Sequence, residues 1–151
     1  MKLKINAEFA RRHLFVTVLM AGLGCWFAYD GYVGYPETPA ARLYENIEGG
    51  AAPEGYDLEK FKAQKIQTQK GFTLLAFLAS LAVGVHLLAV YSFKFEFDDE
   101  GFVFRGKRHS YRDISKVDRS RWEKKGIVVV DGIKLDAWHH NGVKEFEKRL
   151  S

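Results

Sequence analysis

The sequence predicts an α+β membrane protein: a two-helix transmembrane hairpin, then a small antiparallel β domain closed by one C-terminal helix. Three observations predict it. The twenty residues from Leu14 to Val33 carry a single charge, Asp30, and the twenty from Phe72 to Tyr91 carry none. At ~1.5 Å rise per residue, either stretch runs about 30 Å, the thickness of a bilayer's hydrocarbon core. After Tyr91 the pattern switches to strict alternation, with Phe93, Phe95 and Phe97 on one face of a strand.

The elements follow in order. Residues 1–13 form a basic cytoplasmic segment, 14–35 the first transmembrane helix and 36–70 an extracytoplasmic helical loop. Residues 71–92 form the second transmembrane helix, and 93–151 the cytoplasmic β domain. The opening "KLKINAEFARRH" followed by Leu14 has the order of a signal sequence, but no small-residue cleavage site follows. The apolar run continues through "CWFAYDGYVGY", so an uncleaved anchor is expected. With a single cysteine, Cys25, there is no disulfide framework to build, and Cys25 reads as a small packing residue.

Orientation is read from Lys and Arg at the span ends. Lys2, Lys4, Arg11 and Arg12 precede the first span, and the flank after it carries only Arg42. The second span has Lys60, Lys62, Lys65 and Lys70 before it, and a slight basic excess after it. Both termini are therefore expected inside.

Small residues mark the faces on which the spans meet. Ala76, Ser80 and Gly84 recur every four residues and lie on one helix face, while the first span offers Gly24 and Ala28. Measured from the cytoplasmic ends, Gly24 matches Gly84 in depth and Ala28 matches Ser80. Two polar residues interrupt the spans. Asp30 lies about one turn from the outer end and His86 near the cytoplasmic end, too far apart for a joint proton relay. Asp30 reads instead as a local partner of the loop, with Gly31 and Gly34 relaxing the helix end.

Within the loop, Thr38 is expected to cap a helix that Pro39 begins and the glycines at 49 and 50 stop. Asp57 caps a second helix that runs without a breaker into the second span. A loop this short has no independent core and must pack on the hairpin or on a partner. In the β domain, "SFKFEF", "FVFRG", "RHSYRDI" and "SKVDRSRW" read as successive strands. Asp131-Gly132 is a type I′ hairpin signal, which sets Val130 opposite Ile133 and Val128 opposite Leu135. "VKEFEKRL" closes the chain as a helix with Val143, Phe146 and Leu150 inward.

The segments "FEFDDEGFVF", "YRDI" and "RWEKKGIVVVDGIKLDAW", lying after two spans, resemble the bacterial pleckstrin-homology-like domains. The resemblance covers Ser92 to Ser151, a stretch shorter than a full pleckstrin-homology fold. With "YDGYVGYP" at the end of the first span, the whole chain resembles a family of small two-span bacterial membrane proteins. That resemblance implies a bacterial inner-membrane location and brings no catalytic residues or cofactor.

No phosphate loop, dinucleotide fingerprint, zincin motif or nucleophile elbow is present. His139 and His140 are neighbours whose side chains on a strand point to opposite faces, so they do not make a chelating pair. The charge pattern carries more. From Arg105 to Lys125 nine basic residues face three acidic ones. Arg105, Lys107, Arg108, Arg112, Arg119, Arg121, Lys124 and Lys125 are the expected contacts for anionic lipid or a protein partner. The competing reading is an ordinary solvated sheet face. Nucleic acid is not expected, because the aromatics alternate into a core rather than standing as stacking platforms.

A non-enzymatic, metal- and cofactor-free membrane protein is expected, presenting its β domain to protein or anionic lipid. Its partners would be the bilayer and other membrane proteins or further copies of itself. The alternatives are an accessory subunit of a larger membrane complex and, less well supported, an ion or proton site at Asp30 or His86.

Overall fold

The computed structural model describes residues 1–150. The chain is α+β, with two long apolar helices, small antiparallel sheets and a C-terminal helix. Its contacts divide it into two units: residues 14–85, and residues 1–13 together with the stretch from His86 onward.

The first unit is helical. Helix α1 (Ala7–Tyr29) runs on through a π-helical turn (Asp30–Gly34) into one further α-helical turn (Tyr35–Glu37). The widened turn falls where Gly31 meets the neighbouring helix: a Cβ there would lie 3.2 Å from both Gln69 Cβ and the Lys70 backbone nitrogen. Helix α2 (Ala40–Glu48) begins after Pro39 and stops at Gly49, whose φ of +79° is a left-handed cap. The expected Thr38 cap is absent. The Thr38 hydroxyl donates instead to the Gly34 carbonyl (2.7 Å), closing the preceding helix rather than opening the next. Asp57 does cap α3 (Leu58–Tyr91), accepting from the Lys60 backbone N–H at 2.9 Å. α3 is a single helix of 34 residues, as its unbroken sequence predicts.

The loop packs within its own chain. Leu43 and Phe61 are buried, and the rings of Tyr44, Tyr56 and Phe61 lie 5.0–6.2 Å apart. Lys62 donates to the Pro36 carbonyl (2.9 Å).

α1 and α3 run antiparallel. Thr17 meets Ser80 and Gly84, Gly24 meets Phe77, Phe27 meets Phe72 and Tyr35 meets Gln69. This register differs by about two turns from the depth matching of Gly24 with Gly84 and Ala28 with Ser80. Specific contacts set it: Ser80 Oγ donates to the Thr17 carbonyl (2.9 Å), and the Phe77 ring fills the space above Gly24. The ridge residue Ala76 is buried.

The second unit holds two three-stranded antiparallel meanders. One is β2 (Phe95–Phe97), β3 (Gly101–Phe104) and β4 (Lys107–Ser110); the other is β5 (Val117–Arg121), β6 (Ile127–Val130) and β7 (Ile133–Asp136). "YRD" of the expected third strand is a 3-10 turn, because the Ser110 hydroxyl accepts from Arg112 N–H (3.2 Å) and draws the backbone inward. "WEKK" after β5 is likewise a short helix, α4 (Trp122–Lys125), ended by Gly126 at φ +65°. The Asp131-Gly132 hairpin forms as its sequence dictates, with φ of +46° and +83° and pairs Val130–Ile133 and Val128–Leu135.

Helix α5 (Val143–Arg149) closes the core. Phe95, Phe97, Phe102, Val128, Leu135 and Phe146 are almost wholly buried around one another. Residues 1–13, set apart in the sequence as a separate segment, join this unit. β1 (Lys4–Ile5) pairs with β8 (His140–Asn141), while Leu3 N–H donates to Phe95 O and Phe97 N–H to Met1 O. The first five residues thus cover the free edge of β2 and then that of β8, an edge otherwise open to pairing with another chain.

Candidate functional site

All five histidines of the chain lie in the second unit, and four of them gather together. Asn6 starts α1 by accepting from Glu8 N–H (3.0 Å), which puts Phe9 and His13 one turn apart on the same helix face. Phe9, almost fully buried, becomes the hub. Its ring centroid lies 3.9 Å from His13, 4.7 Å from His139, 5.9 Å from His86 and 6.4 Å from Trp138. His86, from α3, lies 5.7 Å from His13 and 5.4 Å from His139.

The turn after β7 delivers the other two. Asp136 organises it, accepting from Trp138 N–H on its side chain (2.9 Å) and from His139 N–H on its carbonyl (3.1 Å). The Asn6 N–H then fixes His139 by donating to its carbonyl (2.8 Å). His140 is buried, with Nε2 3.0 Å from the Val90 carbonyl and its ring against Phe93. The two adjacent histidines are not on one strand: His139 lies in the turn and His140 begins β8, and their ring centroids are 6.3 Å apart.

Burial is the largest influence on His139 and holds its pKa below the usual imidazole value. The Asp136 carboxylate, 3.9 Å away, opposes this, while His86, His140 and Lys134 reinforce it. A hollow of about 210 Å³ opens here, bounded by His86, Val90, Lys134, Asp136, His139 and His140. No group of three or more His, Cys, Asp or Glu among the described residues is arranged to hold a metal ion.

The basic residues are divided. Arg108 is paired with Asp98 (2.9 Å) and Glu100 (3.2 Å). Arg119 is paired with Glu147 (2.8 Å) and also donates to the Leu150 carbonyl. Both are engaged in holding the fold. Arg105 lies over the Phe104 ring (5.3 Å) in the turn between β3 and β4. Lys107, Arg112, Arg121, Lys124 and Lys125 are exposed and form no ion pair among the described residues. Arg121 borders a second hollow of about 230 Å³, with Asp118, Val129 and Lys134.

In the helical unit, Asp30 accepts from the Trp26 indole N–H (2.9 Å), one turn back on its own helix. The bond is local but lies within the helix, not to the loop that the sequence suggests as its partner. Gly24, Ala76, Ser80 and Gly84 lie along the α1–α3 contact, Ala28 is half-buried and Cys25 is exposed.

Sequence reasoning identified His86 and the His139–His140 pair and missed His13 and the gathering itself. The one local signal was the Phe9/His13 spacing. The chain matches no family model, no curated protein and no solved structure.

Proposed function

We propose that this is a membrane-anchored, non-enzymatic interaction protein, in which α1 and α3 cross a bacterial inner membrane as a hairpin and the β unit faces the cytoplasm. The observation that carries this reading is uncovered apolar surface. The most apolar stretches of the two helices are only 11% and 17% buried within the chain. Leu74, Leu75, Leu81 and Leu88 each keep more than 60% of their surface. A core helix would bury such residues, and water would penalise them by about 25 cal/mol for each Å² left apolar and exposed. A bilayer removes that penalty.

The pairing of β1 with β8 supports both ends lying on one side, since residues 1–5 and the β domain share a fold. Two antiparallel meanders closed by a C-terminal helix agree with a reduced pleckstrin-homology-like module. The exposed cations Lys107, Arg112, Arg121, Lys124 and Lys125 are the part of the basic set open to a lipid or protein partner. The small-residue ridge is used within the chain, so it gives no separate argument for a partner helix or a larger complex.

Single cysteines introduced by Gly50→Cys and Lys124→Cys into a Cys25→Ser background test the topology with an impermeant maleimide on intact cells. Gly50→Cys should label directly and Lys124→Cys only after permeabilisation. Direct labelling of Lys124→Cys would overturn the cytoplasmic placement. Release of the chain by alkaline carbonate would overturn the anchor.

A further inference from the structure

The histidine hollow lies at the last turns of α3, where the apolar surface of that helix ends. Ala89 on its rim is exposed, and Lys134 is exposed with no ion pair among the described residues. A second hollow of about 300 Å³ adjoins it, sharing Ala89 and Phe93 and carrying Lys94 and Arg105. Around one helix end there are thus three permanent cations and several imidazoles. The only carboxylate among the residues bounding the two hollows is Asp136.

We propose that the hollow between His86, Lys134 and His139 seats the phosphate of an anionic phospholipid whose acyl chains lie against the last turns of α3. This rests on the reading that α3 crosses a bilayer. Charge complementarity and the exposed Ala89 on the rim of the hollow, at the end of α3, select this occupant. An acyl chain leaving the hollow past Ala89 sets its headgroup at the level of Lys134, whose ammonium can donate to phosphate oxygens.

The groups facing the seat are known from each element packed on it. His140 is committed to the Val90 carbonyl, and His13 Nδ1 lies 2.9 Å from the Phe9 carbonyl. Arg12 lies over the Trp138 ring and pairs with Glu8. Asp136 faces His139 from the same turn. His139 is the titrating member: burial and its basic neighbours disfavour its charge, and a bound phosphate reverses that balance. Phosphate binding and proton uptake at His139 therefore favour each other.

The test uses the full chain in nanodiscs of phosphatidylcholine alone, or of an equimolar mixture with phosphatidylglycerol, with ¹⁵N-imidazole NMR titration of His139. Its midpoint should rise by about one pH unit in the anionic discs, corresponding to roughly tenfold tighter headgroup binding to the protonated form. A bilayer's surface potential raises the midpoint of any nearby group, so Lys134→Gln is the control. That variant should remove most of the difference between the two lipids. A lipid difference left intact by Lys134→Gln, or no difference at all, overturns the seat. Inorganic phosphate giving the same rise in phosphatidylcholine discs would assign the site to a free anion and overturn the lipid. Failure of the chain to insert into either disc is read separately, by its elution apart from lipid, and would sink the anchor as well.

Discussion

The imidazole Nε2 of His140 lies 3.0 Å from the carbonyl oxygen of Val90, fifty residues away, and so ties β8 to the last turn of α3. His140 is buried and its ring packs against Phe93, so the bond is shielded from water. His140→Leu keeps apolar volume and deletes the bond. It should lower the stability of the β unit by about 1–2 kcal/mol, read as a drop in thermal midpoint. A midpoint equal to the parent's would mean that packing alone holds β8.

Gly101 opens β3 opposite Ser110, and a Cβ there would fall on the His109 carbonyl oxygen. Backbone cannot swing aside as a side chain does. Gly101→Ala should therefore cost about 3 kcal/mol and unpair β3 from β4. Gly132→Ala, at φ +83° in open space, should cost only ~1–2 kcal/mol. Hydrogen exchange across β4 distinguishes the two variants.

Gly22 and Gly24 lie two residues apart on α1 with opposite prospects. A Cβ at Gly24 meets the Phe77 ring at 3.0 Å, whereas one at Gly22 meets nothing within 4 Å. Gly24→Leu should separate the helices and abolish a disulfide engineered between Thr17→Cys and Ser80→Cys. Gly22→Leu should leave that cross-link intact. Equal cross-linking in both would refute the register described above.

Asp131 anchors the turn before β5. Hydrogen bonds from the Ser115 hydroxyl, then from the Lys116 and Ser115 backbone N–H groups, hold its carboxyl below the ordinary 3.8. A depressed folded-state pKa gives stability that is present above the unfolded value and lost as the pH falls through the folded one. The contribution should therefore be full at neutral pH and disappear below about pH 4. Asparagine tolerates the same left-handed backbone and still accepts a hydrogen bond. Asp131→Asn should flatten the acid limb of an unfolding curve while changing the neutral limb little. An unchanged acid limb would assign the sensitivity to another carboxylate.

What the sequence made legible was local. The two long helices follow from uninterrupted apolar runs, and the Asp131-Gly132 hairpin from two residues that accept positive φ. The Asp57 cap and the inward face of α5 likewise need only near neighbours. The histidine cluster needs three separated segments to meet, and nothing in a three- or four-residue pattern records that. Lys4 opposite Asn141 is a pairing with almost the whole chain between its partners, so no periodicity announces it. The divided basic set has the same origin: Arg119 is neutralised by Glu147 from α5, a residue that reads in isolation as ordinary helix surface. The helix register was misjudged because depth along a span ignores side-chain fit, and Phe77 over Gly24 decides it.

The pairing of residues 1–5 with β2 and β8 also orders events in time. Those residues leave the ribosome well before β8, with both long helices made in between. Until then the strand has no partner, and β2 has no cover for its edge. The domain therefore completes only after both helices have been made, so a chain stalled before β8 exposes an unpaired edge that quality-control proteases can read.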